Sequence, residues 1–303
     1  LSQNQREILW SIFSFVRSRL EKEGFFTMPM VFSDATELVK RQKVIPADYV
    51  VIDEAQDISV PQLRFLAASG AHKTDGLFFT GDLGQRIFQA PFSWKSLGVD
   101  IRGRSHILRT NYRTSHQIRE QADKLLDPEI ADVDGNTESR KGTVSVFNGP
   151  EPISEAAKSI EEESDIIAKW IMERAKKGVK PGEIGIFVRS DTELVRARKA
   201  IEKTGIKSVE INGASELSPE AICLCTMHLA KGLEFKAVVV AACDDEIIPL
   251  QSRIESVTEE SDLEEAYNTE RHLLYVACTR ARENLLITGV EPVSEFLDDL
   301  TCQ

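Results

Sequence analysis

The stretch Tyr49-Val50-Val51-Ile52-Asp53-Glu54-Ala55-Gln56-Asp57 constrains the fold more than any other. Its short apolar run, rich in β-branched residues, reads as a buried strand. The run ends in two adjacent carboxylates and then a third. That places charge at the carboxyl edge of a sheet, where open α/β sheets bind ligands. One carboxylate there can hold Mg2+ through its water shell, and its neighbour can orient or deprotonate an attacking water. Leu77-Phe78-Phe79-Thr80 repeats the pattern and opens onto Gly81-Asp82-Leu83-Gly84-Gln85-Arg86-Ile87-Phe88. Two such strands predict one shared site at the carboxyl edge of a parallel sheet. Taken alone, an apolar run followed by Asp-Glu is more often a strand ending in a solvated acidic turn.

The rest of the chain alternates strands with helices. Helices are predicted over 5–23, stopped by Gly24, and over 33–41, capped by Ser33 or Asp34, both as core packing. Pro46 then leads into the first strand. A helix follows at 61–69 and a third strand at His106–Leu108, which ends in Arg109-Thr110-Asn111-Tyr112-Arg113; a further helix covers 115–126. The Asp/Gly/Asn-rich run 127–140 marks a domain boundary. Beyond it the pattern predicts strands at 143–147, 184–188, 209–211, 221–225, 237–242 and 284–288, with helices over 154–177 and 192–204. The acidic stretch 244–265 reads as a solvated, mobile loop, and Tyr275 and Val276 read as core. Such alternation predicts parallel α/β structure in both halves.

Length and charge narrow the function. The 303 residues suffice for two domains, and no apolar run approaches the ~20 residues that span a bilayer. Through Glu129 there are 17 basic and 16 acidic residues; from Ala131 onward 20 basic face 33 acidic, a balance of −13 that carries the whole of the net −12. That balance argues against a non-specific nucleic-acid coat and leaves room for a locally basic groove. Cys223, Cys225, Cys243, Cys278 and Cys302 form no Cys-x-x-Cys pair. They read as reduced, buried thiols of a cytosolic protein and argue against a structural zinc. The chain begins at Leu1 and not at Met, which reads as a piece of something longer.

Five segments, in one order, carry a resemblance. They are Asp53-Glu54-Ala55-Gln56-Asp57; Gly81-Asp82 with Gln85; Asn111-Tyr112-Arg113; Thr226-Met227-His228-Leu229-Ala230-Lys231-Gly232-Leu233-Glu234-Phe235; and Tyr275-Val276-Ala277-Cys278-Thr279-Arg280-Ala281-Arg282. Together they resemble the motor core of superfamily 1 DNA helicases of the UvrD, Rep and PcrA type. The resemblance implies two RecA-like parallel-sheet domains with a P-loop NTPase-like fold. Residues 1–130 would be the C-terminal portion of the first, and 131–303 the second. Asp53 would hold Mg2+ and Glu54 would activate the hydrolytic water. Gln85 would sense the γ-phosphate of ATP, and Arg113 and Arg280 would reach it. Arginine suits that task because its planar, permanently charged fork neutralises phosphoryl oxygens. Glu234 would contact the ribose or phosphate region and Tyr112 would lie near the base. Thr226, His228 and Lys231 would line the DNA track and the cleft. The family's base-stacking aromatic falls at Ala90 here; Phe88, Phe92 or Trp94 could replace it, although Phe92 and Trp94 read more plainly as core. Alone, Arg113 or Arg280 would be a surface ion-pair partner, His228 an ordinary hydrogen-bonded histidine and Gln85 a loop residue.

Two departures accompany the matches. No Gly-x-x-x-x-Gly-Lys-Thr/Ser occurs, so this chain alone is expected to bind ATP weakly or not at all. Only Asn212 to Pro219 separates Ile211 from the 221–225 strand, so the family's large helical insertion is expected to be absent, which bears on strand separation more than on translocation. The expected function is part of an ATP- and Mg2+-dependent, 3′-to-5′ motor on single-stranded DNA. It would be cytoplasmic, with protein partners in DNA repair or replication and no membrane. The alternatives are a helicase-like interaction module without ATPase activity and an ATPase that remodels protein on DNA.

Overall fold

The computed structural model describes residues 2–42, 47–70, 73–212, 216–257 and 259–301. They form two compact units. The first comprises Leu1–Gly81, Gln89–Arg104 and Asp132–Asn136; the second comprises Asp82–Phe88, Ser105–Ala131 and Thr137–Gln303.

In the first unit, α1 (Gln3–Glu23) starts with a reciprocal capping box between Ser2 and Gln5 and stops at Gly24, whose φ of 74° is the left-handed closure glycine permits. Helix α2 (Met28–Gln42) begins well before the predicted Ser33 cap. Pro29 is tolerated in a first turn, and the Thr27 hydroxyl accepts the Met30 N–H at 3.4 Å. Ser33 lies inside the helix and donates back to the Pro29 carbonyl at 2.8 Å. Neither helix is the core element expected: α1 buries no residue, Trp10 is 74% exposed, and α2 buries only Thr36. Strand β1 (Val50–Ile52), helix α3 (Val60–Gly70) and strand β2 (Leu77–Phe79) follow. The two strands pair in parallel, with Ile52 opposite Phe79. They are not buried on both faces, since Val51 is 73% and Phe78 60% exposed. Their other face packs on Ala55, Ile58, Leu63 and Val99. Phe92 and Trp94 join that cluster, Trp94 meeting Phe79 edge-on at 4.8 Å. Pro46 lies outside the described residues.

The second unit is built on a sheet with both faces covered. Leu108 is 91% exposed and 106–108 is not a strand; β3 (Thr110–Asn111) starts two residues later. Helix α4 (His116–Asp123) follows. The 127–140 run read as a domain boundary contains an antiparallel hairpin, β4 (Glu129–Ala131) with β5 (Thr137–Ser139). Asp132 shapes its turn by accepting the Asp134 and Asn136 N–H groups at 2.9 and 2.8 Å. Strand β6 (Val144–Ser145) pairs with β3. The start of the predicted 154–177 helix is strand β7 (Ile153–Ala157). Helix α5 (Ile160–Lys176) begins only after Ser159, which caps Glu162, and it has Glu161, Glu162 and Glu163 in its first turn and Arg174 and Lys176 in its last.

Strand β8 (Ile184–Val188), helix α6 (Leu194–Glu202), β9 (Ser208–Glu210), β10 (Ile222–Thr226) and β11 (Phe235–Val240) come next. Short α7 (Gln251–Glu255), long α8 (Glu260–Cys278), β12 (Ala281–Val290) and α9 (Glu295–Thr301) complete the unit. Six strands form one sheet, ordered β7-β12-β11-β8-β10-β9, and every pairing is parallel. Alternation along β8 sends Ile184, Ile186 and Val188 to the face covered by α5 and α6, and Phe187 to the other, where α4, α8 and α9 pack. Cys223, Cys225, Cys243 and Cys278 are buried free thiols, whereas Cys302 lies outside the described residues, as does part of the 212–219 connection.

The acidic stretch 244–265 is not a plain loop. It holds α7, the start of α8 and the fully buried Ile248. Asp244 takes two bonds from Arg196, at 2.5 and 3.0 Å, and one from the Val290 N–H at 2.6 Å. A second buried pair fastens α8 to the sheet. Arg189, just past β8, donates twice to Glu270 at 2.6 Å, and Arg253 and the Leu250 N–H reach the same carboxylate at 3.3 Å. Among the described residues no helix is long and apolar enough to cross a membrane.

Removing one partner of a buried pair strands the other charge. Glu270→Ala should therefore destabilise the second unit by about 3–5 kcal/mol. Glu161→Ala, which breaks an exposed pair with Lys203, should cost at most about 1 kcal/mol. Urea unfolding followed by Trp170 fluorescence, with Trp10 and Trp94 replaced by Phe, reads this unit alone; equal effects of the two variants would contradict the assignment.

Candidate functional site

In the first unit the ends of β1 and β2 meet. Thr80 donates its hydroxyl to Asp53 Oδ1, and the Glu54 N–H reaches the same oxygen at 2.9 Å. These bonds, the Thr80 hydroxyl first, hold the Asp53 carboxyl below the usual carboxylate range. Asp53 is thus an exposed, ionised oxygen donor, which suits a hard cation. Among the described residues no cluster of three or more His, Cys, Asp or Glu could hold a metal. A cation at Asp53 would therefore need phosphate and water for the rest of its shell. Glu54 has φ 52° and ψ 43°, a left-handed conformation unusual for a side-chain-bearing residue. The turn is tight: a Cβ on Gly81 would stand 2.6 Å from Gln56 Oε1. Asp57 closes the 3-10 turn that follows.

In the second unit a cleft of about 440 Å3 gathers Asp82, Gln85, Tyr112, Arg113, Arg140, Tyr275, Thr279 and Arg280 among its lining residues. It lies at the amino ends of the strands here, since Thr279 and Arg280 immediately precede β12 and the Phe235 N–H that opens β11 bonds to the Arg280 carbonyl at 2.9 Å. Arg280 is 2% exposed. Its Nε donates to the Val276 carbonyl at 3.0 Å and its Nη2 to Gln85 Oε1 at 3.1 Å. Gln85 is held at its other end too, its Nε2 donating to Asp82 Oδ2 at 2.8 Å. Arg113 is aimed by the Asn111 side chain, which accepts the Arg113 and Thr114 N–H groups at 2.8 and 3.1 Å. The Arg113 guanidinium lies 3.2 Å from Glu234, a carboxylate shared with Arg282 at 3.3 Å. Tyr112 presents an exposed ring at the rim.

Phe88 and Lys231 adjoin this cleft. Lys231 Nζ donates to the Gln85 carbonyl at 3.1 Å and lies 5.9 Å from the centre of the half-exposed Phe88 ring. Phe92 and Trp94, by contrast, are taken up by the first unit's core. Thr226 ends β10 and is buried, and His228 follows in a 3-10 turn. Burial, and then the nearby Arg189 charge, push the His228 pKa down. The structure therefore brings Gln85, Tyr112, Arg113, Glu234, Arg280, Lys231 and Phe88 into one neighbourhood. Asp53 and Glu54 form the first unit's own edge.

Several residues here were missed by sequence reasoning. Arg140 reaches Asp82 at 2.8 Å, Asp123 at 3.2 Å and the Tyr275 hydroxyl at 2.6 Å. Arg119 pairs with Asp123 at 2.7 Å, and Glu138 accepts the Leu83 N–H at 3.1 Å. Burial pushes the Asp123, Glu138 and Tyr275 pKa values up; for Asp123 it outweighs the pull of Arg140 and Arg119. The i, i+4 spacing of Arg119 and Asp123 was visible in the sequence. Nothing local marked Arg140, which sits in the polar run assigned to a boundary.

His272 of α8 supports the same loop, its Nδ1 lying 3.2 Å from the Arg86 carbonyl. Burial pushes its pKa down, so the fold favours the neutral ring. Its stabilising contribution is complete above the ordinary histidine value of about 6.5 and is lost as the pH falls through that value toward the lower folded-state one. Urea midpoints at pH 7.5 and 5.5 should show a smaller acid-induced loss in His272→Gln than in the parent chain; an equal or larger loss would contradict this.

A family profile described as the UvrD-like helicase C-terminal domain matches residues 200–291. The ATP-dependent DNA helicase PcrA of Bacillus subtilis is 42% identical over 72 residues, 24% of this chain and 9% of that protein. DNA helicase II of Escherichia coli is 33% identical over 105 residues, 35% of this chain and 13% of that protein. A probable DNA helicase of Mycoplasma pneumoniae is 24% identical over 255 residues, 80% of this chain and 43% of that protein. The chain thus spans less than half the length of these curated relatives. A solved structure of the C-terminal domain of a possible DNA helicase from Lactobacillus plantarum covers 63% of this chain and 94% of its own, at a TM-score of 0.44 and 22% identity.

Proposed function

The resemblance to superfamily 1 helicases of the UvrD, Rep and PcrA type holds, and from it we propose that this chain is part of an ATP-driven motor on single-stranded DNA. The observation that carries the reading is the buried Arg280 beside Gln85, in a cleft that Arg113 and Tyr112 also line. A guanidinium held rigidly by its own helix's carbonyl is pre-organised for the charge that develops on a transferring phosphoryl group. In this reading Arg280 and Arg113 neutralise the γ-phosphate, Gln85 senses it, Glu234 orients Arg113, and Tyr112 offers its ring to the base. By resemblance, Asp53 would hold Mg2+, which would supply charge neutralisation at the phosphates, and Glu54 would activate the hydrolytic water.

Phe88 and Lys231, next to the Gln85 carbonyl, serve the DNA side with Thr226 and His228. A base stacks on the half-exposed ring and the ammonium meets a backbone phosphate. Nucleotide state reaches DNA through the one segment Asp82–Phe88, which carries Gln85 and Phe88 together. Residues 1–130 are read as the C-terminal portion of a first RecA-like domain and 131–303 as a second one. Motion is 3′ to 5′ by resemblance, in a cytoplasmic protein of DNA repair or replication. Since the 303 residues contain no Gly-x-x-x-x-Gly-Lys-Thr/Ser, the chain alone is proposed to be inactive as an ATPase. The same absence favours a second reading, a helicase-like interaction module.

Steady-state ATP hydrolysis with and without single-stranded DNA separates the two, using this chain and the longest natural protein that contains it. The motor reading expects DNA-stimulated turnover in the longer protein, reduced about 10³-fold by Arg280→Ala and abolished by Glu54→Gln. No turnover in a folded longer protein would leave the interaction module.

A further inference from the structure

Deepening that reading, and resting on it for the kinetic part of its test, we propose that Arg140 is the positioning residue of the nucleotide-sensing Gln85 segment. Arg140 follows β5, outside all five helicase-like segments of the sequence. Its guanidinium touches both halves of the cleft. Toward the Gln85 segment, Nη2 donates to Asp82 Oδ1 at 2.8 Å. That carboxylate also caps the following turn, Oδ1 accepting the Gly84 N–H at 2.8 Å, and it holds the Gln85 amide through Oδ2 at 2.8 Å. Toward α8, Nη1 donates to the Tyr275 hydroxyl at 2.6 Å, one turn before Thr279 and Arg280, and the guanidinium carbon lies 4.7 Å from the Tyr275 ring centre. Nη1 is braced further by Asp123 at 3.2 Å.

The consequence is a fixed orientation for Gln85. An amide can present either its N–H groups or its carbonyl to a neighbour. With Asp82, an acceptor, on one side, Nε2 must point to it, and Oε1 is left toward Arg280. Arg140 enforces this by fixing Asp82 from behind. Glycine at position 84 makes the approach possible, since a Cβ there would collide with the Arg140 guanidinium and lie 2.8 Å from Leu126 Cδ1. A lysine could not replace Arg140, because a single ammonium cannot reach Asp82, Asp123 and Tyr275 as a planar fork does.

The test uses the longest natural protein containing this chain, with Arg140→Met, Arg140→Lys and Gly84→Ala, each alone and combined with Gln85→Ala. Arg140→Met is expected to lower kcat for DNA-stimulated ATP hydrolysis about tenfold to a hundredfold with little change in the KM for ATP. Arg140→Lys should not rescue it, and Gly84→Ala, which displaces the guanidinium while keeping it, should act in the same direction. In the Gln85→Ala background all three should cost little more. Amide hydrogen exchange over residues 82–88 should quicken in each variant while β8 and β10 keep parental protection. The proposal is overturned if exchange at 82–88 does not change, or if Arg140→Met costs the same factor with Gln85 absent. If the parental protein hydrolyses no ATP, the motor reading fails, and the exchange result still decides whether Arg140 positions the segment.

Discussion

A six-stranded parallel sheet has no face that water can cover. That constraint organises the second unit. Central strands β8, β10 and β11 are apolar on both sides, so α5 and α6 must cover one face and α4, α8 and α9 the other. Once α8 is pressed against the sheet, its last turns are buried all round. The residues that end it, Thr279 and Arg280, are then delivered to the amino edge of β12 with their backbone fixed. Arg280 owes its aim to this burial: its own helix's Val276 carbonyl holds Nε and leaves Nη2 for Gln85.

Charge inside such a unit has to be paired where it stands. Three networks, two buried and one partly buried, do this with different consequences. Arg189 and Glu270 fasten α8 to β8, and Arg196, Glu163 and Asp244 fasten α5 and α6 to the turn after β11. Both are satisfied within the protein and read as structural. The third network, Asp82, Arg140, Asp123 and Arg119, lines the cleft and includes the carboxylate that orients Gln85. Raised pKa values at Asp123 and Glu138, both caused first by burial, mark the same wall of the cleft as a place where charge is costly and geometry is correspondingly constrained.

How much of this the sequence disclosed differs by element. Strand β8 was legible to the residue because a continuous apolar run buried on both faces looks like nothing else at that length. Helix α8 was not foreseen, since its acidic start, Glu260 to Glu265, resembles a solvated loop until the sheet supplies a surface for Ala266, Leu273 and Leu274. The strand at 153–157 was read as helix because its register is set by pairing with β12, a contact that no local pattern announces. Strands β1 and β2 were found, but not their exposed faces, because a β-branched run carries no mark of which side is covered. At the site, the residues that touch a phosphate in the proposed reaction sit in recognisable segments. Arg140, proposed to position the Gln85 segment, reaches Asp82 from 58 positions away, and only the fold could show it.

The account turns on Arg280 and Gln85 meeting the transferring phosphoryl group. The most direct measurement is the structure of the longest natural protein containing this chain, bound to Mg2+, ADP and aluminium fluoride in the presence of single-stranded DNA. The account predicts the Arg280 guanidinium and the Gln85 amide within hydrogen-bonding distance of the fluoride ligands, with Arg140 still on Asp82. A bound analogue that leaves Arg280 and Gln85 paired only with each other, out of reach of the fluoride, would contradict it.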